Sequence, residues 1–392
     1  MEPLAKRRKG SAQPPRCAAM LRGLRAGLLG LLLSLGIAMP AGAAETGAGG
    51  EFVTTLESVR GMGMGGANTA LAEGSDAFIY NPAGLIQSNY WKVEARAWSE
   101  DSENAPADHF NTLNDLAGAN VLEITSYLAQ DGQKNYSRRS QALVSYHNET
   151  GFGLAAFDSK QLQSVPDPTT GGIRVRHERL QGGMLTLAWQ SEFKMMLFGL
   201  SLKGMTREIR ERQVTPLVVA DADFEIPGEV NTGSGYAGDV GFMLRLPIPF
   251  LRPTLAVAAL NLGEPTFGLE DEEPLRAETN VGLTFYPNIL AEHMRLVLSF
   301  DLRDQGQNRF PDDDSERKRL HMGAEIALFP QDSGVWGLEL RGGQSQGYVT
   351  YGVALNLSHY LSVSMARYKE EIGTEDDPDP QSRLALEASL GF

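Results

Sequence analysis

The sequence predicts an all-β protein: a closed antiparallel transmembrane β-barrel of about fourteen strands with an N-terminal hatch in its lumen. Three observations predict it: a cleavable-looking apolar leader, period-2 alternation from residue 92 to the end, and connections that are short and long in turn.

The leader comes first. Lys6, Arg7, Arg8, Lys9, Arg16, Arg22 and Arg25 precede an uncharged run from Ala26 to Met39. Pro40-Ala41-Gly42-Ala43-Ala44 then supplies the small residues of a signal-peptidase site. Such a run is shorter than the roughly 20 residues a helix needs to cross a bilayer. Residues 1–44 therefore read as a secretory signal peptide cut near Ala43 or Ala44, with Met20 as an alternative start. Cys17 lies before the apolar run, so it is not a Cys that becomes lipid-modified after it. Cleavage removes seven basic residues and one acid, leaving 28 basic against 48 acidic residues, a net charge of −20.

Composition narrows the rest. The chain has 392 residues, formal charge −14, one Cys and 43 Gly, with mean hydropathy −0.24. That hydropathy excludes a polytopic helical membrane protein. The charge excludes bulk phosphate neutralisation, and with it nucleic acid as a partner. A single Cys excludes a disulfide scaffold or a Cys-rich zinc site.

Strands follow from alternation. Leu384, Leu386, Ala388, Leu390 and Phe392 fall on one face of the last segment, with Arg383, Glu387, Ser389 and Gly391 on the other. The same reading gives strands near 92–98, 139–147, 152–158, 174–189, 194–209, 236–246, 254–261, 277–286, 294–302, 318–328, 335–342, 348–357, 361–369 and 383–392. Connections run long (99–138), short (148–151), long (159–173), short (190–193), long (210–235), and so on. Only 343–347 breaks the rule. Short turns at one end and long loops at the other mark an outer-membrane barrel. A soluble sandwich also alternates, but its solvent face would be rich in Lys, Glu and Thr. Here the polar face carries Gly, Ala, Ser and charges of both signs, as a lumen wall would. Phe392 ends the final strand in the manner of the signal read by the outer-membrane assembly machinery.

A ring of fourteen strands tilted about 40° has a backbone diameter near 28 Å, which has to be filled. Residues 45–90 are the candidate filler, leaving 91–392 as the barrel. Gly61-Met62-Gly63-Met64-Gly65-Gly66-Ala67-Asn68-Thr69-Ala70 allows close backbone packing. Asn81-Pro82-Ala83-Gly84-Leu85 reads as a turn whose Pro fixes φ and whose Gly permits positive φ.

These residues resemble a known signature. Gly65-Gly66-Ala67-Asn68-Thr69-Ala70-Leu71-Ala72, then Asp76-Ala77, then Asn81 to Leu85, resembles the N-terminal hatch of the long-chain fatty-acid transporter (FadL) superfamily, including its shorter PorV-like branch. The resemblance implies a fourteen-stranded barrel, a hatch that gates the pore, and uptake of hydrophobic molecules such as fatty acids, with lateral exit through the wall. Its hatch positions are Gly65, Gly66, Asn68, Asp76, Asn81, Pro82 and Gly84. Some PorV-like members instead serve secretion, so a shut barrel anchoring a secretion or envelope complex is the alternative.

Charges expected to face the lumen are Arg96, Lys203, Asp239, Arg245, Asp301, Arg303, Glu325, Glu339, Arg341, Arg383 and Glu387. They pair with each other or the hatch, or else Arg245, Arg303 or Arg341 meets a ligand carboxylate. The histidines show no metal spacing. No cofactor and no catalysis are expected. The first long loop holds a helical stretch, Leu113 to Leu128, suited to covering the barrel mouth. Acidic loops at 221–223, 270–273, 311–316 and 375–379 suit solvation or divalent bridging to lipopolysaccharide. The expected address is the outer membrane, with its lipids, its assembly machinery and an apolar small molecule as partners.

Overall fold

The structure is a computed structural model that describes residues 56–87, 91–102, 134–167, 172–215, 230–269, 274–288, 294–305, 316–328, 337–358, 360–371 and 380–391, with a few isolated positions besides. The leader 1–44, residues 45–55, most of Leu113 to Leu128, nearly all of the acidic loops, Trp336 and Phe392 lie outside the described residues.

Fourteen antiparallel strands close into one barrel. They are β1 Trp91–Ser102, β2 Lys134–His147, β3 Thr150–Asp167, β4 Gly172–Gln190, β5 Met196–Val214, β6 Val230–Arg245 and β7 Thr254–Leu262. Then come β8 Glu278–Phe285, β9 Met294–Leu302, β10 Leu320–Leu328, β11 Gly337–Ser345, β12 Tyr348–Asn356, β13 Leu361–Glu371 and β14 Pro380–Gly391. Each matches one strand expected from alternation. The ring closes where β1 meets β14, from Glu94 opposite Gly391 to Ser102 opposite Arg383. The closed ring leaves no strand edge open, which lipid requires.

Side chains sort as the alternation predicts. Leu384, Leu386 and Leu390 point outward while Arg383, Ala385 and Glu387 are buried inside. Val349 (75% exposed) and Leu202 (67%) show how bare the outer face is. That cost in water is removed only by lipid, so the apolar face is a membrane belt. Near the short turns an aromatic row runs across three strands. Trp189 stands opposite Phe198, and Phe198 opposite Phe242, with ring centroids 5.5 and 5.1 Å apart. Trp189 is therefore an interfacial aromatic. Tyr351 also points outward, at the opposite, long-loop end.

Two expectations about connections are corrected. The loop expected at 159–173 shrinks to 168–171, because β3 and β4 stay paired up to Asp167 opposite Gly172. Above the membrane belt both faces of these strands are polar, so alternation fades while the ladder continues. The irregular 343–347 connection is a two-residue hairpin turn. Gln346 and Gly347 have φ of 52° and 85°, the doubly positive pattern that suits the twist of paired strands.

Residues 56–87 lie inside the ring. A short helix, Val59–Gly63, is followed by 3₁₀ turns Gly74–Phe78 and Pro82–Gln87. Nearly all their residues are buried, although the segment has no large core of its own. The expected turn at Asn81 to Leu85 is instead the start of a 3₁₀ helix. Asn81 Oδ1 accepts from Ala83 N at 3.1 Å, and Pro82 fits the first helical position. Gly84 does not take positive φ. It is required for space, since a Cβ there would lie 2.2 Å from the Ala72 carbonyl oxygen.

Candidate functional site

The lumen has a charged side and an apolar side, and the inner segment divides them. Its seat on the wall is made by missing side chains. A Cβ on Gly199 would stand 2.2 Å from Pro82 C, and one on Gly241 2.0 Å from Asn81 Oδ1. At Gly323 the clash would be with Met64 O at 2.3 Å. Gly65 and Gly66 return the favour from the inner segment. Both have positive φ (68° and 82°), and a Cβ on Gly65 would meet the Met322 carbonyl oxygen at 2.5 Å. Backbone thus lies against backbone.

Polar groups then fix the register. Ser58 caps the first helix through Gly61 N at 3.0 Å, and its own amide donates to Tyr80 Oη at 3.0 Å. Asp301, on β9, accepts the amides of Asn68 at 2.8 Å and Thr69 at 2.7 Å. Asn68 Nδ2 donates to Asp76 at 3.0 Å, and Arg96 Nη1 of β1 donates to the same carboxylate at 2.8 Å. Arg60 binds Glu325 of β10 with two prongs, both 3.0 Å, and reaches Glu73 at 2.9 Å. Glu325 is fully buried and also accepts from Arg341 Nε at 2.9 Å. His321 Nδ1 lies 2.7 Å from Gly65 O, so that nitrogen carries the proton. Gln87, at the end of the segment, accepts from Arg245 Nη2 at 2.9 Å.

Asp76 is a buried carboxylate of the inner segment held by two cations. Burial pushes its carboxyl up, but the guanidinium groups of Arg96 and Arg60 outweigh that and hold it below the usual carboxylate range.

The lumen charges divide accordingly. Asp301, Arg303, Glu325 and Arg96 touch the inner segment. Lys203 pairs with Asp239 at 2.8 Å, and Arg383 with Glu100 at 2.6 Å. Glu339 is half-buried and bonded to Arg341 and Asn356, without touching the inner segment. Glu387 is buried near Arg96 with no hydrogen-bond partner on Oε2 among the described residues. Sequence reasoning missed Arg60, Tyr80 and Glu73, because a lone charge or phenol in a Gly-rich stretch has no periodic signal.

Three cavities adjoin each other at the loop end. One is the mouth above the inner segment. Among the described residues its lining includes Glu57, Glu100, Arg139, Glu278, Arg303 and Arg383. Beside it lies a narrow pocket walled by Leu56, Phe78, Phe157, Leu180, Met184 and Leu260, with Lys203 and Asn261 also in its lining. The two share Glu278 and Arg303. Arg303 donates to Glu278 at 3.1 Å and to Glu57 at 2.6 Å, so one ion group stands between mouth and pocket. The third is an open depression in the outer wall at Gly182, Gly204 and Tyr236. It shares Phe157 and Met205 with the narrow pocket. A Cβ on Gly182 would touch the Phe157 ring at 2.9 Å, so that ring covers a place where the wall has no side chain.

This architecture defines a class: a fourteen-stranded membrane barrel whose lumen is occupied by its own N-terminal segment. No protein-family profile matches the chain, and no curated protein matches it by sequence. Solved structures do resemble it. The toluene transporter TbuX of Ralstonia pickettii superposes with a TM-score of 0.50 at 11% identity, covering 85% of this chain and 97% of that one. The Pseudomonas putida toluene transporter TodX gives 0.50 at 13% identity, over 87% and 98%. A FadL homologue of Pseudomonas aeruginosa gives 0.49 at 12% identity, over 88% and 99%. The fold is that of TbuX and TodX.

Proposed function

We propose that the protein carries hydrophobic small molecules across the outer membrane without catalysis or cofactor. One observation carries this reading: the narrow pocket touches the charged mouth through Arg303 and Glu278, and touches the outer wall through Phe157 and Met205. A ligand entering the mouth would pass the Arg303 group, shed water among Phe78, Leu180 and Met184, and leave sideways beneath Phe157. Apolar surface that a ligand covers there gains free energy in proportion to its area, roughly 25 cal/mol per Å². Residues 45–90 act as the hatch. Gly65, Gly66, Asn68, Asp76, Asn81, Pro82 and Gly84 hold its shape, and Asp301, Arg303 and Glu325 lock it to the wall. The likeness to toluene transporters supports an apolar cargo, which includes aromatic hydrocarbons and fatty acids.

The test is uptake of a fluorescent C12 fatty acid and of labelled toluene by cells lacking other uptake barrels. Phe157→Ala should raise the rate severalfold, and Phe157→Trp should lower it about tenfold. Unchanged rates in both variants, with the barrel folded, would refute the route.

A second reading has its own observation. Phe193, Ile248, Phe250 and Leu251 are exposed on two neighbouring short turns, which suits a scaffold that binds an envelope partner. In that case cells show no uptake above background, and charged substitutions at these turns cost partner binding.

A further inference from the structure

The register of β2, β3, β4 and β5 lays out the outer wall in rows, read from the turn end upward. Trp91, Tyr146, Phe152, Leu187 and Leu200 make the first row, and Val93, Val144, Leu154, Leu185 and Leu202 the second. The third is made only of small residues, Ala95, Ala142, Ala156, Gly183 and Gly204, and the fourth is polar. The fifth places Arg138 directly opposite Lys160, and Lys160 directly opposite Arg179. Three cations therefore stand abreast on adjacent strands about 4.8 Å apart.

Like charges in direct opposition weaken a sheet, so this row works against folding unless something offsets it. The protein offsets little of it. Asp158 takes Arg179 Nε at 2.7 Å and sits 3.9 Å from Lys160 Nζ. Glu208, opposite Arg179, is bonded to Arg210 instead. Arg138 is exposed and has no ion pair among the described residues. Two further observations say what the row faces. It lies on the outward face, continuous with the apolar belt. It also lies at the long-loop end, which in such barrels is the outer leaflet. Just beneath it the small-residue row leaves a shallow channel beside the wall depression at Gly204.

We infer that Arg138, Lys160 and Arg179 form a docking site for a phosphorylated glycolipid of the outer leaflet. Its phosphate meets the three cations, and an acyl chain lies down the Ala142, Ala156 and Gly183 channel. Guanidinium forks suit phosphate oxygens, and the Lys adds a mobile point charge between them. Such a lipid would sit at the rim of the route through Phe157 without being cargo. The site is independent of transport: a barrel that moves nothing would still bind it.

Native mass spectrometry of the full chain in dodecylmaltoside, with EDTA present to remove divalent bridges, tests this. The probes are bisphosphorylated lipid A and its fully dephosphorylated form. Wild type should retain the first at least tenfold more than the second. Arg138→Ser, Lys160→Ser and Arg179→Ser combined should erase that preference, while Asp158→Asn should strengthen it. A control replaces Lys194 and Arg252, exposed cations of the short turns, with Ser. Loss of preference in that control would overturn the site in favour of net charge alone. Equal binding of both probes by wild type, or an unchanged preference in the triple variant, would overturn it as well. Heat-modified gel mobility verifies folding of each variant.

Discussion

Arg60 and Glu325 face each other through two hydrogen bonds of 3.0 Å, one partner on the inner segment and the other on β10. The carboxylate is fully buried and is shared with Arg341 and Arg295. A single wall residue thus gathers three guanidinium groups, with Glu73 and Glu339 as further partners of Arg60 and Arg341.

Glu325→Gln should therefore destabilise strongly. Removing one partner of a buried ion group strands the others, at a cost of about 3–5 kcal/mol. Because Arg60 belongs to the inner segment, the loss should appear first as its detachment. Single-channel recordings of the variant should show openings that wild type lacks, and its thermal transition should fall.

Gly199→Leu tests the seat from the opposite wall. The backbone of Pro82 and Ala83 occupies the space a side chain would need. Overpacking of this kind costs roughly 1–3 kcal/mol, and neither backbone can yield without moving the 3₁₀ turn. We expect protease cleavage within 56–87 with the barrel itself intact. A Gly183→Leu control, whose side chain would point to lipid, should leave the segment protected.

Much of this was legible beforehand, for a physical reason. A barrel wall in lipid has two environments that differ at every residue, so alternation was strong enough to place all fourteen strands. It faded above the belt at Lys160, Gln161 and Gln163, where both sides are polar, and there the strand ends were misjudged. The lumen face at Arg303 and Glu325 was legible from parity alone. The partners Arg60, Glu73 and Glu57 were not, because the inner segment has no periodicity and its contacts join residues up to 287 apart in sequence. Gly84 was misread for the same reason: sequence shows that a side chain is absent, not whether dihedral freedom or space requires it.

Acid should release the inner segment through Asp76. Its folded carboxyl is held below the unfolded value of about 4 by Arg96 and Arg60. The stabilisation is thus fully present above that unfolded value and is lost as pH falls through the lower, folded one. Conductance should stay closed from pH 7 to about 4 and rise below it. Asp76→Asn should be leakier at pH 7 and should lose the acid limb. An Asp76→Asn barrel with the same acid limb as wild type would assign the effect elsewhere.

The Arg303 group separates two steps of the proposed route. Arg303 stands between the charged mouth and the narrow pocket, bonded to Glu278 on the wall and Glu57 on the inner segment. Phe157 stands on the far side of the same pocket. If passage is sequential, the two act on different stages. Arg303→Leu would strand the buried Glu278, so Arg303→Leu with Glu278→Leu is the cleaner change, since the one carboxylate of the group it leaves, Glu57, is part-exposed at the mouth. That double variant should admit an apolar probe to the pocket faster, raising probe occupancy without raising delivery. Phe157→Ala should raise delivery without raising occupancy. Combined, the changes should multiply the uptake rate. Measured binding of a fluorescent fatty acid to the purified barrel gives occupancy, and cell uptake gives delivery. If all variants shift occupancy and delivery together, mouth and wall share one gate, and the two-stage route is wrong.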